Sequence, residues 1–379
     1  MPEKKISLIF GTRPEAIKLA PLIYALRREE RFEVDVCITG QHRELIDPIL
    51  EFFEIVPNTD LNLMQSGSGL SDLAARIISA TNAYLVRERP DLVVVQGDTN
   101  TVFGASVAAF YNRIPVAHVE AGLRSFNLDH PYPEEANRRW CSCVARYHFC
   151  PTEESKNNLL RENHPAENIY VTGNTVVDAL LMAREIIAKK SRKIDGLPPE
   201  LQPDGDPSVR IVLMTGHRRE NIGDGFLHIC NAVRDLAEHY PDIHFVYPVH
   251  LNPEVRKTVF EILGHGASAN IHLISPLNYP DFVAMLCRSH LVLTDSGGVQ
   301  EEAPCLGKPV LVMRETTERP EGVTAGVAKL VGSDRESIVS NVSHLLDDAA
   351  AYRAMAVAKS PYGDGTAAKK IAEILLRTL

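Results

Sequence analysis

Apolar residues along this chain gather in short, β-branched runs separated by longer amphipathic stretches, and the alternation holds from end to end. In the first half, Ile6–Phe10, Val34–Ile38, Leu92–Gln96, Val116–Val119, Tyr147–Cys150 and Ile169–Thr172 have the pattern of strands. In the second half Arg210–Met214, His244–Tyr247, Ile271–Leu273, Leu291–Thr294, Val310–Met313 and Ala328–Val331 repeat it. Near-continuous apolar strands with helices between them predict parallel sheets covered on both faces. Between the halves, Lys189-Lys190-Ser191-Arg192-Lys193 leads through Pro198-Pro199 to Pro203-Asp204-Gly205-Asp206-Pro207, a polar, proline-rich connection. The expected fold class is α/β, with two Rossmann-like, doubly wound parallel-sheet domains facing each other across a cleft. Residues 1–175 form the first and 176–361 the second, and a last helix over 362–379, after the break at Ser360–Gly365, completes the first. A length of 379 residues agrees, since it exceeds the size at which one core keeps growing.

Composition narrows the function. A net charge of −9 argues against a general nucleic-acid binder while leaving room for a local basic cleft. No apolar run approaches bilayer length, and Met1-Pro2-Glu3-Lys4-Lys5 leads directly into a strand rather than a secretion signal, so a cytoplasmic protein without membrane contact is expected. The seven cysteines are scattered without paired spacing, which predicts reduced core thiols. The fourteen histidines include no His-Glu-x-x-His spacing, so no dedicated metal site is expected. No strand runs into Gly-x-Gly-x-x-Gly and no Gly-x-x-x-x-Gly-Lys-Ser/Thr occurs, which disfavours a tightly held NAD and P-loop hydrolysis; no cofactor is expected.

Ligands of doubly wound sheets bind beyond the carboxyl ends of the strands, and the unusual residues of this chain cluster there. Leu293-Thr294-Asp295-Ser296-Gly297-Gly298-Val299-Gln300-Glu301-Glu302 runs from an apolar strand into two glycines that open a helix. Free backbone N–H groups and the helix dipole favour an anion at that place, and glycine lets phosphate oxygens approach the backbone. Glu302, further into the helix, suits ribose hydroxyls. An isolated Ser-Gly-Gly is equally an ordinary strand-to-helix turn. At the other end, Phe10-Gly11-Thr12-Arg13-Pro14-Glu15-Ala16-Ile17-Lys18 is a second strand, tight loop and helix start, with Pro14 where a first helical residue tolerates it. An oxygen anion bound there meets Arg13, Lys18 and the helix N-terminus. On their own, these two cations are also explained as solvated surface charges.

Three acidic positions fall at corresponding places. Val93-Val94-Val95-Gln96-Gly97-Asp98 ends a buried-type strand at Asp98, and His118-Val119-Glu120-Ala121-Gly122-Leu123-Arg124 ends the next at Glu120. Pro131-Tyr132-Pro133-Glu134-Glu135-Ala136-Asn137-Arg138 then opens a helix with Glu134 and Glu135 in its first turn. Each acid alone is compatible with a helix cap or a salt bridge, Glu135 above all. Carboxylates brought close together raise one another's proton affinity, as general acid and base chemistry requires. In the second half Thr215-Gly216-His217-Arg218-Arg219-Glu220 offers a histidine suited to a phosphate or a leaving group, or to a capping role. His250 lies in a polar loop on the same rim. Arg314 and Arg319, after a strand, fit phosphate or surface pairing.

Taken in order, these motifs closely resemble the non-hydrolysing UDP-N-acetylglucosamine 2-epimerases of bacteria, and the resemblance spans almost the whole chain. It implies a glycosyltransferase-B arrangement, a homodimer, a UDP-sugar substrate, and reversible conversion of UDP-GlcNAc to UDP-ManNAc for cell-surface polysaccharides. By motif, Asp98, Glu120, Glu134 and His217 match catalytic positions. Arg13, Lys18, Ser296, Gly297, Gly298, Glu302 and Arg319 match substrate-binding ones, with Arg138, Arg218 and His250 assigned beside them. Loss of UDP from C1 with proton removal at C2 would give a 2-acetamidoglucal, and re-addition with protonation from the opposite face would invert C2. A sister epimerase acting on a diacetamido uronic acid sugar nucleotide and a glycosyltransferase of the same fold are the alternatives. Some relatives carry a second, activating UDP-GlcNAc site. Here Gln41-His42-Arg43-Glu44 has glutamate in place of their second glutamine, and Met64-Gln65-Ser66-Gly67-Ser68-Gly69 lacks their arginine, so such activation is not expected.

Overall fold

The computed structural model describes residues 3–40, 43–63, 69–190, 192–218, 221–264, 268–357 and 360–379. Gln41, His42 and residues 64–68, which carry the expectation about an activating site, lie outside them, as do Arg219 and Glu220. The chain divides into two compact units, Met1–Leu181 with Tyr362–Leu379, and Met182–Pro361.

The first unit is built on a seven-stranded sheet: β1 (Lys4–Phe10), β2 (Phe32–Ile38), β3 (Thr59–Asp60), β4 (Leu92–Gln96), β5 (Val116–Val119), β6 (Tyr147–Cys150) and β7 (Ile169–Val171). Their order is β3-β2-β1-β4-β5-β6-β7, and every pairing is parallel. The direction of winding reverses between β1 and β4, so the loops after these two strands diverge and leave a crevice at their carboxyl ends. All five residues of β4 and all four of β5 are buried, as strands covered by helices on both faces require. The helix Ala367–Thr378 packs on this unit although it is last in sequence: the Asp178 carboxylate accepts from the amides of Ala367 and Ala368 at 3.3 and 2.9 Å, and the Tyr147 hydroxyl donates to the Thr378 carbonyl at 3.2 Å. Burial raises the Asp178 carboxyl to about 6.

The second unit has six strands: β8 (Arg210–Thr215), β9 (Ile243–Pro248), β10 (Ile271–Ile274), β11 (Leu291–Thr294), β12 (Val310–Val312) and β13 (Ala328–Leu330). The order β10-β9-β8-β11-β12-β13, again wholly parallel, places its switch point between β8 and β11. Val212, Met214, Phe245, Tyr247, Leu291, Leu293 and Leu311 fill the core between this sheet and its helices. Two doubly wound parallel sheets are thus what the alternation of runs specifies. No helix among the described residues is long and apolar enough to cross a membrane. Of the seven free cysteines, Cys143 is exposed and Cys287 and Cys305 are only partly covered, so the expectation of core thiols holds for the other four alone.

One glycine fixes the path after β5. Gly122 has φ +85°, and a Cβ there would drive into the carbonyl oxygen of Ser155 in the helix Glu153–Arg161. Strained dihedrals and a backbone clash add together, so Gly122→Ala is expected to cost about 2 to 3 kcal/mol. The check is the urea midpoint followed by fluorescence of Trp140, the single tryptophan, which lies in this unit. A midpoint equal to that of the parent chain would refute the close approach.

Candidate functional site

In the first unit, the residues at the carboxyl ends of β1, β4 and β5 are joined by one polar network. Glu120 follows β5 with φ +65°, a left-handed conformation that a glutamate keeps only when its surroundings hold it. Lys18 supplies part of that hold, since its ammonium lies 2.7 and 2.6 Å from the two Glu120 oxygens. Gln96, the last residue of β4, donates its amide to Glu120 Oε2, and Asn174 donates to Oε1 at 3.4 Å. Only 4% of the Glu120 side chain is exposed.

Two residues beyond Gln96, Asp98 forms an ion pair with Arg138 from the helix Glu134–Val144. Arg138 also bonds Glu135 at 3.1 Å, and Asn137 on the same helix donates to the Asp98 carbonyl at 3.0 Å. The backbone before Asp98 is fixed from β5, where His118 Nε2 lies 2.7 Å from the Gly97 carbonyl. Burial lowers His118 to about 4, so the imidazole is neutral and donates its Nε2 proton there. Glu134 is half-buried, with no hydrogen bond or ion pair among the described residues. Its neighbour Glu135, by contrast, is fully buried and accepts from the Ser125 and Phe126 amides and from Arg138 and Arg139. Glu135 therefore takes the structural role foreseen for it.

Two expectations about this region are revised. The acids were expected to tune one another by like charge, yet a cation stands beside Asp98 and beside Glu120. Arg13 and Lys18 were expected to flank one anion at the first helix start. Lys18 turns to Glu120 instead, while the exposed Arg13 guanidinium has no partner among the described residues. The helix N-terminus there is largely engaged too: Pro14 has no N–H, and the Gly11 and Thr12 amides donate to the Glu15 carboxylate at 3.1 and 2.7 Å. Glu15, raised to about 7 by burial, also accepts from the Thr99 hydroxyl at 2.8 Å and so ties the β1 loop to the β4 loop. Thr12-Arg13-Pro14-Glu15 carries the spacing of a capping box, which was the available clue.

His118 sets a pH dependence. Its folded value lies below its usual 6.5, so its contribution is fully present above pH 6.5 and is lost as pH falls toward about 4. The loss amounts to about 3 kcal/mol. His118→Gln keeps a donor for Gly97 without titrating, so its stability between pH 6.5 and 4 is expected to fall less steeply than that of the parent chain. Parallel curves by Trp140 fluorescence would contradict this.

In the second unit, the loop after β8 and the loop after β11 meet at Asp295, a residue the motif reading passed over. Its buried carboxylate accepts from the amides of His217 and Arg218, each at 2.8 Å, and from Asn221 at 3.4 Å. The His217 ring is 40% exposed, lies 3.5 Å from Asp295 through Nδ1, and stacks on His250 with centroids 5.1 Å apart. Burial lowers the His217 value, the Asp295 charge raises it, and His250 and Arg218 lower it. The clue to Asp295 was its place, a carboxylate at the end of the strand beside the switch point.

Ser296 precedes the helix Gly297–Cys305 in an extended conformation. The first-turn amides of Gly297, Gly298 and Val299 have no acceptor within the helix. A Cβ on Gly298 would meet nothing within 4 Å, while one on Gly297 would stand 3.6 Å from the Arg218 guanidinium. This is an open helix start with a cation over it, which suits an anion. Glu302 is buried in the same helix, and Tyr279 is raised first by burial and then by the Glu302 charge. Arg319 does not reach out as a solvated cation: its guanidinium pairs with Glu301 and donates to the Glu318 carbonyl at 3.1 Å. Arg314 pairs with Glu318 at 2.7 Å, the pairing considered for it at the outset.

A family model described as UDP-N-acetylglucosamine 2-epimerase matches residues 24–376. The UDP-N-acetylglucosamine 2-epimerase of Escherichia coli strain K12 is 53% identical over 371 residues, covering 98% of each chain. The enzyme of that name from Salmonella typhimurium is 51% identical, also over 98% of each chain. Among solved structures, UDP-GlcNAc 2-epimerase from Neisseria meningitidis, crystallised with UDP-GlcNAc, superposes with a TM-score of 0.88 at 47% identity, covering 98% of this chain and 100% of its own. With the family model spanning nearly the whole sequence and relatives above half identity, the chain belongs to the UDP-N-acetylglucosamine 2-epimerase family.

Proposed function

We propose that this protein interconverts UDP-N-acetylglucosamine and UDP-N-acetylmannosamine by inverting C2. The observation that carries the reading is the set of carboxylates at the carboxyl ends of β4 and β5 and at the adjoining helix start, Asp98, Glu120 and Glu134, in a chain that also offers an open Gly297-Gly298 helix start. A glycosyltransferase needs the second feature but has little use for the first.

The hydrogen at C2 has no adjacent carbonyl to stabilise a carbanion, so the leaving group supplies the route. The C1–O bond breaks with its electron pair passing to UDP, a carboxylate takes the C2 proton, and a C1–C2 double bond forms. Re-addition of UDP at C1 with proton delivery to the opposite face of C2 completes the inversion. Asp98, Glu120 and Glu134 serve proton transfer and the positive charge that develops on the ring. Ser296, Gly297, Gly298 and Arg218 hold the diphosphate, with His217, His250 and Arg13 at its departing oxygen, and Glu302 takes the ribose. Arg138, Lys18 and Arg319 are assigned to the substrate as well, and each pairs with a carboxylate here, Asp98, Glu120 and Glu301 respectively.

The protein is further proposed to work as a cytoplasmic homodimer supplying cell-surface polysaccharide synthesis. Exposed aromatic residues on neighbouring helices of the first unit, Phe110, Tyr111 and Trp140 with its ring 4.7 Å from Phe103, support the dimer. Light scattering after gel filtration is expected to give twice the 41.9 kDa chain mass; a single-chain mass at micromolar concentration would refute it. The test of the reaction is incubation with UDP-GlcNAc alone in D2O, followed at C2 by NMR. Deuterium entering C2 of both epimers is the expected result. Release of free GlcNAc, or a requirement for an acceptor, would overturn the reading.

A further inference from the structure

We propose that Asp295 is a positioning residue that holds His217 by its backbone and its ring together, turning Nδ1 to the buried carboxylate and presenting Nε2 to the departing diphosphate. The part played by the diphosphate rests on the function proposed above; the coupling of Asp295 to His217 does not. The two oxygens of Asp295 divide the work. Oδ2 accepts the amides of His217 and Arg218 and the side chain of Asn221, which fixes where the loop after β8 stands. Oδ1 is completely buried and has no hydrogen bond among the described residues, yet it lies 3.5 Å from His217 Nδ1.

A cap that only shaped the loop would need one oxygen. A buried carboxylate lone pair left open is costly, and a small movement of the ring converts it into a charge-assisted bond. Bonds of this kind are commonly long before the ligand arrives. The groups facing the imidazole are Asp295, which favours its protonated form, and Arg218 and the stacked His250, which oppose it. Glu318 stands near enough to Arg218 to feel its charge, and Tyr247 is bound to the Gly216 carbonyl just before the ring. A diphosphate adds negative charge on the open side of the ring. It thereby drives His217 to the imidazolium, with one N–H on Oδ1 and the other on the leaving oxygen.

The variant is Asp295→Asn, which keeps the shape and one acceptor for the loop amides. Its kcat for epimerisation is expected to fall roughly 10- to 100-fold, as changes to the group that orients a functional histidine do, while KM moves less than about threefold. Titration of His217 by 15N NMR in the UDP complex is expected to shift down by about one pH unit relative to the parent chain. Equal titration curves for the two proteins would overturn the proposal, as would an unchanged kcat. Should Asp295→Asn fold poorly, the 15N shifts of His217 in the parent chain with UDP decide the matter: a protonated Nδ1 supports the pairing, and an unprotonated Nδ1 overturns it. If the parent chain failed to interconvert the two UDP-sugars, the proposed function would fall while the titration still reported on Asp295.

Discussion

Asp98→Asn is expected to slow deuterium exchange at C2 by about 10² to 10⁴-fold, the range lost when a positioned acid or base is removed. The same variant should bind UDP within about threefold of the parent chain, since the groups proposed to hold the diphosphate, Arg218, Ser296, Gly297 and Gly298, lie in the loops after β8 and β11 and at the helix start that follows, none of them bonded to Asp98. The fold around the substitution does not lean on the carboxylate. The Asp98 carbonyl is held by Asn137, the Gly97 carbonyl by His118, and the neighbouring Thr99 by Glu15. Arg138 loses one partner but keeps Glu135. With its side chain 27% exposed, Asp98 is also reachable by a ligand, which a purely structural ion pair need not be. Stability is therefore expected to change by less than about 1 kcal/mol, as for a partly exposed pair. Weakened UDP binding with normal exchange would show that Asp98 serves the nucleotide instead.

The parts of the fold that could be read from the chain are those with a strong local pattern. β4, β5, β6 and β11 begin and end where their apolar runs do, because strands buried on both faces are built mainly of apolar residues. β3 has no such run; Thr59 and Asp60 pair with Cys37 and Ile38 at the edge of the sheet, where one face and one side are open. The positions of Asp98, Glu120 and the Ser296-Gly297-Gly298 turn were legible for the same reason, as each directly follows a readable strand. What the chain could not announce was which charges meet. Lys18 reaches Glu120 across 102 positions and Arg138 reaches Asp98 across 40, and only the strand order β1-β4-β5 brings those loops together. The pairing reverses the electrostatic argument for Asp98 and Glu120, from acids that repel one another to carboxylates each met by a cation, while Glu134 has none among the described residues.

That reversal gives the second large expectation, a cycle on Lys18 and Glu120. Glu120→Gln takes the carboxylate from an ammonium whose side chain is only 17% exposed, and Lys18→Met takes the ammonium from a carboxylate that is 4% exposed while the Gln96 and Asn174 amides remain. Breaking a largely buried pair from one side costs about 3 to 5 kcal/mol, because a charge remains in a place that solvates it poorly. The left-handed backbone of Glu120 makes the site less tolerant, since the contacts that offset that strain are the ones removed. Replacing both residues removes both charges, so Lys18→Met with Glu120→Gln is expected to be more stable than the sum of the single losses predicts, by at least about 1 kcal/mol. Activity should not follow stability. If Glu120 carries a proton or steadies the charge on the ring, the double variant regains its fold but not its C2 exchange, which stays down by about 10²-fold or more. Strictly additive losses in urea unfolding would refute the pairing, whereas a double variant that turned over normally would make Glu120 a structural anchor and leave Asp98 and Glu134 to do the proton chemistry.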